Sequence, residues 1–185
     1  MSKSPFFSSG REPSLEEVLE TREQRSILQT KLSANYPNAT VVALKCNIPG
    51  PVKNNDSIRQ LFEIGKWEIE QVIQKNNWHI HYEKTVILHT GPEYFVVVQA
   101  EPQHVKKEMI QIENGSSIGR LWDMDVLYQE ANQPQTMDRL SIGQGPRTCF
   151  ICEQPAKACG RNRTHTVFEL LQQMDKMILQ DGRVK

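Results

Sequence analysis

The sequence predicts a single α+β domain: a ferredoxin-like β-α-β-β-α-β core, preceded by one helix and followed by a cysteine-containing loop and a last helix. Two observations carry that prediction. Apolar runs of strand type and stretches of helical periodicity follow one another in the order helix, then β-α-β-β-α-β, and Thr90-Gly91-Pro92 joins the middle two strands as a hairpin. The length of 185 residues suits one domain with a sizeable core.

Residues 1–13 are rich in Ser and Pro and read as a disordered leader ahead of a single domain over 14–185. Ser14-Leu15-Glu16-Glu17 has capping-box spacing and opens a charged helix to about residue 31, with Arg22 and Arg25 three apart on one face. Val41-Val42-Ala43-Leu44-Lys45-Cys46 is a buried strand that ends in a turn containing Asn47, Pro49, Gly50 and Pro51. From Asp56, the positions Ile58, Leu61, Phe62, Ile64, Ile69, Val72 and Ile73 mostly follow helical spacing to about residue 76. Strands near 79–89 and 93–100, a helix over 102–112 and a last core strand complete a core at about 40–130. The cysteine- and arginine-rich segment and the final helix occupy 143–181, where Thr166-Val167-Phe168-Glu169 again has capping-box spacing.

Composition narrows the function. Acids and bases balance at 22 each, so no global positive field recruits nucleic acid or an anionic membrane, and any polyanion must be gripped locally. No segment approaches the length of an apolar membrane span, and the opening residues lack a secretory signal's apolar stretch, which points to a cytoplasmic protein. In such a reducing compartment the four cysteines suggest metal ligands or free thiols rather than disulfides.

The octapeptide Gly119-Arg120-Leu121-Trp122-Asp123-Met124-Asp125-Val126 sets two carboxylates inside an apolar, strand-like run. Side chains alternate across a strand, so Asp123 and Asp125 share one face and Trp122, Met124 and Val126 the other. Adjacent carboxylates repel, and a hard cation such as Mg²⁺ relieves the repulsion while offering charge to phosphate. A solvated edge strand would carry the same acids without chemistry, so the context has to decide. In the predicted topology the fourth strand runs antiparallel to the first, bringing the two aspartates beside the turn over 47–53. With helices on one face only, both aspartates look out from the open face.

That turn, Asn47-Ile48-Pro49-Gly50-Pro51-Val52-Lys53, is stiffened by its prolines, while Gly50 permits close approach. Lys53 stands just ahead of a helix whose first N–H groups favour anions, so the turn is either a phosphate cradle or a rigid turn with a solvated lysine. Farther on, Cys149, Cys152, Cys159 and His165 form a possible Cys₃His zinc set, the alternative being reduced thiols in a compact loop. Arg147, Arg161 and Arg163 lie among them, and guanidinium groups bind phosphate oxygens in pairs. Histidines 79 and 81 flank Ile80 and share one strand face, but with no third ligand in view they read as structural, and His89 and His104 lack any local constellation.

Four motifs in order carry a resemblance: Asn-Ile-Pro-Gly-Pro-Val-Lys-Asn at 47–54, Thr-Gly-Pro-Glu at 90–93, the octapeptide at 119–126, and Arg-x-Cys-x-x-Cys continued by Cys-x-Arg-x-Arg-x-His at 147–165. With them, and with Arg-Glu-Gln-Arg at 22–25, the chain closely resembles the apo-citrate lyase phosphoribosyl-dephospho-coenzyme A transferases, the citrate lyase holo-acyl-carrier-protein synthases. The resemblance implies transfer of 2′-(5″-triphosphoribosyl)-3′-dephospho-coenzyme A to a serine of the lyase's acyl-carrier subunit, forming a phosphodiester and releasing pyrophosphate. The paired acids also resemble those of nucleotidyltransferases, although Gly115-Ser116 lies too close to Asp123 for an intervening helix.

On this reading Asp123 and Asp125 hold Mg²⁺ against the triphosphate as the catalytic pair. Asn47, Gly50, Lys53, Gly119, Arg120, Arg147, Arg161 and Arg163 are the expected substrate-binding positions. The nucleophile comes from the carrier, and neither nucleic acid nor membrane is an expected partner. Two rival readings are a zinc module that docks protein or nucleic acid, and a metal-dependent phosphohydrolase using the same aspartates.

Overall fold

The computed structural model describes residues 4–185. In chain order the elements are α1 (Leu15–Asn35), β1 (Thr40–Cys46), α2 (Asp56–Lys75), β2 (Ile80–Leu88), β3 (Gly91–Val98) and α3 (Pro102–Gly115). A 3-10 turn (Ile118–Leu121), β4 (Trp122–Glu130), β5 (Gln133–Thr136), a second 3-10 turn (Leu140–Ile142), α4 (Ala156–Asn162) and α5 (Val167–Asp181) follow. Both expected capping boxes form: Glu17 N–H donates to Ser14 Oγ at 3.2 Å and Glu169 N–H to Thr166 Oγ1 at 3.2 Å, with each glutamate returning to its cap's N–H.

The five strands make one antiparallel sheet in the order β2-β3-β1-β4-β5. β1 is central and opposes β4 with Cys46 beside Trp122, Lys45 beside Asp123 and Ala43 beside Asp125. The start of β4 therefore meets the end of β1, as expected. Val42, Leu44, Tyr94, Val96, Trp122, Met124 and Val126 form the larger core with Ile58, Leu61, Phe62 and Ile69 of α2, Val105 and Met109 of α3, and Met174 and Ile178 of α5.

The other sheet face is not open. Val41, Ala43, Phe95, Val97 and Leu127 are buried there beneath Leu32, with Leu28 of α1 and Tyr36 just after it packed against them. The reason is visible in the strands themselves, because Val41 to Leu44 and Tyr94 to Val98 are apolar at every position and have two faces to cover. The aspartates share this second face with α1.

Three local expectations also change. The leader is anchored through Ser4 to Ser9: Phe7 lies in the larger core, Asn55 Nδ2 donates to the carbonyls of Phe6 and Ser9, and Ser4 Oγ donates to Asp175 Oδ1 at 2.6 Å, while residues 8–12 are exposed. Residues 1–3 of that expected leader lie outside the described residues. The octapeptide is strand only from Trp122, since Ile118–Leu121 coils into a 3-10 turn. Finally, β5 and α4 occupy segments the periodicity left as loop; β5 is a fully exposed Gln-Pro-Gln-Thr strand with no apolar alternation to announce it.

Candidate active site

Charge on the β1–β4 pair is arranged around a lysine. Lys45, directly across from Asp123, places its ammonium between the two carboxylates, 2.5 Å from Asp123 Oδ2 and 3.2 Å from Asp125 Oδ2. Arg147 Nη1 approaches the other side of Asp123, 3.6 Å from Oδ1. The aspartate side chains are 35% and 38% exposed, so the pair faces solvent while its inner oxygens are taken. Burial alone would raise the Asp123 carboxyl, but Lys45 first and then Arg147 outweigh it and hold it below the ordinary carboxylate range. Burial likewise works against the Lys45 ammonium, and Asp125 and Asp123 together hold it above the ordinary lysine value.

A buried acid that sequence reasoning passed over organises the arginines. Glu113, on α3 and 1% exposed in its side chain, accepts from Arg139 Nη1 at 2.8 Å, from Arg147 Nη2, and from the Met124 N–H at 3.1 Å. One carboxylate thus fixes both the arginine that reaches Asp123 and the backbone between the two aspartates. Burial pushes the Glu113 carboxyl upward, opposed by Arg147, Lys106 and Arg139. Lys106 donates to the Met124 carbonyl at 3.0 Å, and the Trp122 indole donates to the Leu61 carbonyl at 2.9 Å, anchoring the start of β4 from the helical side. The available signal was Glu113 at the end of the four-residue spacing Val105, Met109, Glu113, where an apolar side chain would be ordinary.

A cavity of about 680 Å³ opens beside this cluster, between the turn after β1, the 3-10 turn before β4 and the cysteine segment. Asn47, Arg120, Arg147 and Arg163 line it, together with apolar Pro49, Phe150, Val167 and Leu170. Arg120 donates to Thr148 Oγ1 at 3.4 Å and to the Thr148 carbonyl and stacks over Phe150, yet its buried Nε has no partner. Burial and the nearby Arg147 and Arg139 lower the Arg120 pKa, which is the electrostatics of a site that wants an anion.

The other predicted positions are distributed differently. Lys53 turns back to donate to the Ile48 carbonyl at 2.6 Å and lines a second, smaller cleft. The Ile58 N–H, expected to face an anion, donates to the Asn55 side chain instead, at 2.8 Å. Gly50, at φ +85°, brings the turn against α5, where an added Cβ would stand 3.0 Å from Val167 Cγ1. Gly119 is wedged against α3, an added Cβ falling 2.6 Å from the Ile112 carbonyl oxygen and 2.7 Å from that of Glu113. Arg161 is exposed on α4 and lines neither cavity.

Cys149, Cys152, Cys159 and His165 do converge, with one ligand atom from each inside a group no wider than 4.8 Å. Cys152 and Cys159 Sγ are 3.5 Å apart and His165 Nε2 is 3.3 Å from Cys152 Sγ. Tetrahedral zinc with Zn–S of about 2.3 Å has ligand–ligand edges of about 3.8 Å, so the set has the dimensions of a metal centre. Local structure builds it: a Thr148–Pro155 bridge closes the Cys-x2-Cys loop, and Arg163, in the left-handed region at φ 49°, reverses the chain after α4 to return His165. Three of the four residues also wall the large cavity.

A family model described as apo-citrate lyase phosphoribosyl-dephospho-CoA transferase matches residues 13–181. A protein of Streptococcus pyogenes serotype M5 (strain Manfredo), described as a probable apo-citrate lyase phosphoribosyl-dephospho-CoA transferase, is 34% identical over 178 residues, 96% of this chain and 91% of the relative. One of Escherichia coli O1:K1 / APEC, described as the same transferase, is 30% identical over 174 residues, 94% of this chain and 93% of the relative. No helix among the described residues is long and apolar enough to cross a membrane.

Proposed function

The chain belongs to the apo-citrate lyase phosphoribosyl-dephospho-CoA transferase family, and from that premise we propose that it transfers the phosphoribosyl-dephospho-coenzyme A group from its 5″-triphosphate precursor to a serine of the citrate lyase acyl-carrier subunit. The serine Oγ attacks the phosphorus nearest the ribose. A new P–O bond forms, the bond to the next phosphate breaks, and its electron pair departs with pyrophosphate. The serine proton passes to Asp125, to Asp123 or to water.

The observation that supports this reading most is the meeting of Asp123 and Lys45 with Arg147, which also lines an arginine-rich cavity. Phosphoryl-type transfer asks a protein mainly for positioning and for charge against a polyanion. Arg120, with its unpartnered Nε, Arg147 and Arg163 bind phosphate oxygens, Asn47 donates at the cavity mouth, and Lys53 serves the smaller cleft. Gly50 and Gly119 act through backbone shape, and Arg161 adds attraction for the approaching donor.

Asp123 and Asp125 suit Mg²⁺: they are hard oxygen donors on one strand face, part-exposed, each with an oxygen beyond the lysine's reach. Mg²⁺ there supplies charge neutralisation for the triphosphate. The Cys₃His set is read as a structural Zn²⁺ site that holds the cavity wall. The first four core strands and two crossover helices are read as the ferredoxin-like arrangement with β5 added at one edge. Four unpaired cysteines suit the cytoplasm.

Incubating the chain with apo-carrier, precursor and Mg²⁺ and weighing the carrier by mass spectrometry tests the function. A covalent adduct on the carrier serine is expected. Precursor breakdown without an adduct would make the chain a hydrolase instead.

A further inference from the structure

On the α1 side of the sheet a second cleft, of about 160 Å³, lies between α1, the end of β1 and the β2–β3 hairpin. Its cations are Arg22, Arg25, Lys45 and Lys53, and its one acid is Glu93. Two of the four cations are already satisfied. Arg25 Nε donates to Glu93 Oε1 at 2.7 Å, which with a Thr21–Thr90 hydroxyl contact of 2.9 Å fastens α1 to the hairpin. Lys45 is held by the aspartates.

Arg22 and Lys53 are left over. Among the described residues Arg22 has no ion-pair partner, and Lys53 reaches only the neutral Ile48 carbonyl. Burial and the charge of Arg22 lower the Lys53 pKa, so each cation raises the energy of the other. An anion between them removes that cost. The hairpin closes tightly over this place: Gly91, at φ +118°, would put a Cβ 3.3 Å from the Lys53 carbonyl oxygen.

The cleft and the large cavity are neighbours. Asn47 lines both. Asp123 lines neither but links them, touching Lys45 of the cleft through Oδ2 and Arg147 of the cavity through Oδ1. Both spaces carry cations, Arg120, Arg147 and Arg163 in the cavity and Arg22 and Lys53 in the cleft, but the cavity is larger and also has apolar walls at Pro49, Phe150, Val167 and Leu170, which suit the coenzyme end.

We propose that Arg22 and Lys53 form a diphosphate site that holds the two terminal phosphates of the donor, the pair that leaves as pyrophosphate, while the coenzyme end lies in the large cavity. This rests on the transferase reading above. It sets the direction of the donor: the phosphorus under attack lies at the Asn47–Asp123 boundary, and the negative charge that builds on the departing oxygen develops toward Arg22 and Lys53.

Calorimetric titration with inorganic pyrophosphate tests the proposal on the full chain. Wild type binds, and Arg22→Gln and Lys53→Gln each weaken binding by about tenfold or more, the loss expected of a charge-assisted hydrogen bond. Lys107→Gln, an exposed charge on α3, leaves it unchanged. Arg22 is exposed on a helix, so Arg22→Gln keeps the wild-type melting temperature and the wild-type affinity for dephospho-coenzyme A. Wild-type pyrophosphate affinity in Arg22→Gln overturns the site, even if the carrier is modified normally. If the carrier gains no adduct while Arg22→Gln still loses pyrophosphate, the transferase reading and the assignment of the cleft to this donor fall together.

Discussion

Lys45 explains how two carboxylates stand two residues apart on one strand. Replacing it with Met leaves Asp123 and Asp125 to repel each other, and because the group is part-exposed the loss is modest, about 1 kcal/mol at neutral pH. The sign with pH follows from the lowered Asp123 pKa: its stabilisation is whole above the ordinary carboxylate value of about 3.9 and fades as pH falls through the lower folded value. Urea midpoints of wild type and Lys45→Met therefore differ at pH 7 and converge in strong acid. Glu113→Gln is the harsher change, since it strips a buried carboxylate from two arginines, and a loss of about 3 kcal/mol is expected in the same titration. Asp123, Asp125 and Arg147 were legible in the sequence because they sit in dense motifs. Lys45 and Glu113 were not, since neither belongs to a local motif, one being a single charge in an apolar strand and the other one charge on a polar helix, and their partners lie 78 and 34 residues away.

Among elements, those with local signals were readable: both capping boxes, the apolar stripe of α2 and the hairpin before β3. The 3-10 turn before β4 was not, because its cause is the collision-free passage of Gly119 over the carbonyls of Ile112 and Glu113, a contact between α3 and the turn. Gly119→Ala should cost about 2 kcal/mol and displace Arg120 from Thr148, visible as a lower melting temperature together with weaker binding of dephospho-coenzyme A. The cysteine lobe has little apolar core of its own, with Cys159 its buried member, so a metal is expected to hold it. Metal analysis should find about one zinc per chain. Cys152→Ser or a strong chelator should remove it and raise hydrogen exchange over 148–165 while β1 and β4 stay protected.

At the scale of the whole molecule, the β1–β4 pairing that unites the turn after β1 with the aspartates followed from topology. The covering of the second sheet face did not, although the unbroken apolar run of β1 carried the signal. That layer shapes the surface, because α1 brings Arg22 beside Lys45 and turns an open sheet into a cleft. If Asp123 and its neighbours form the reacting centre, the rate of carrier modification by Asp123→Asn, measured with carrier and precursor saturating, must fall. A fall of about a hundredfold or more is expected, with an unchanged circular dichroism spectrum. Wild-type turnover in that variant would contradict it.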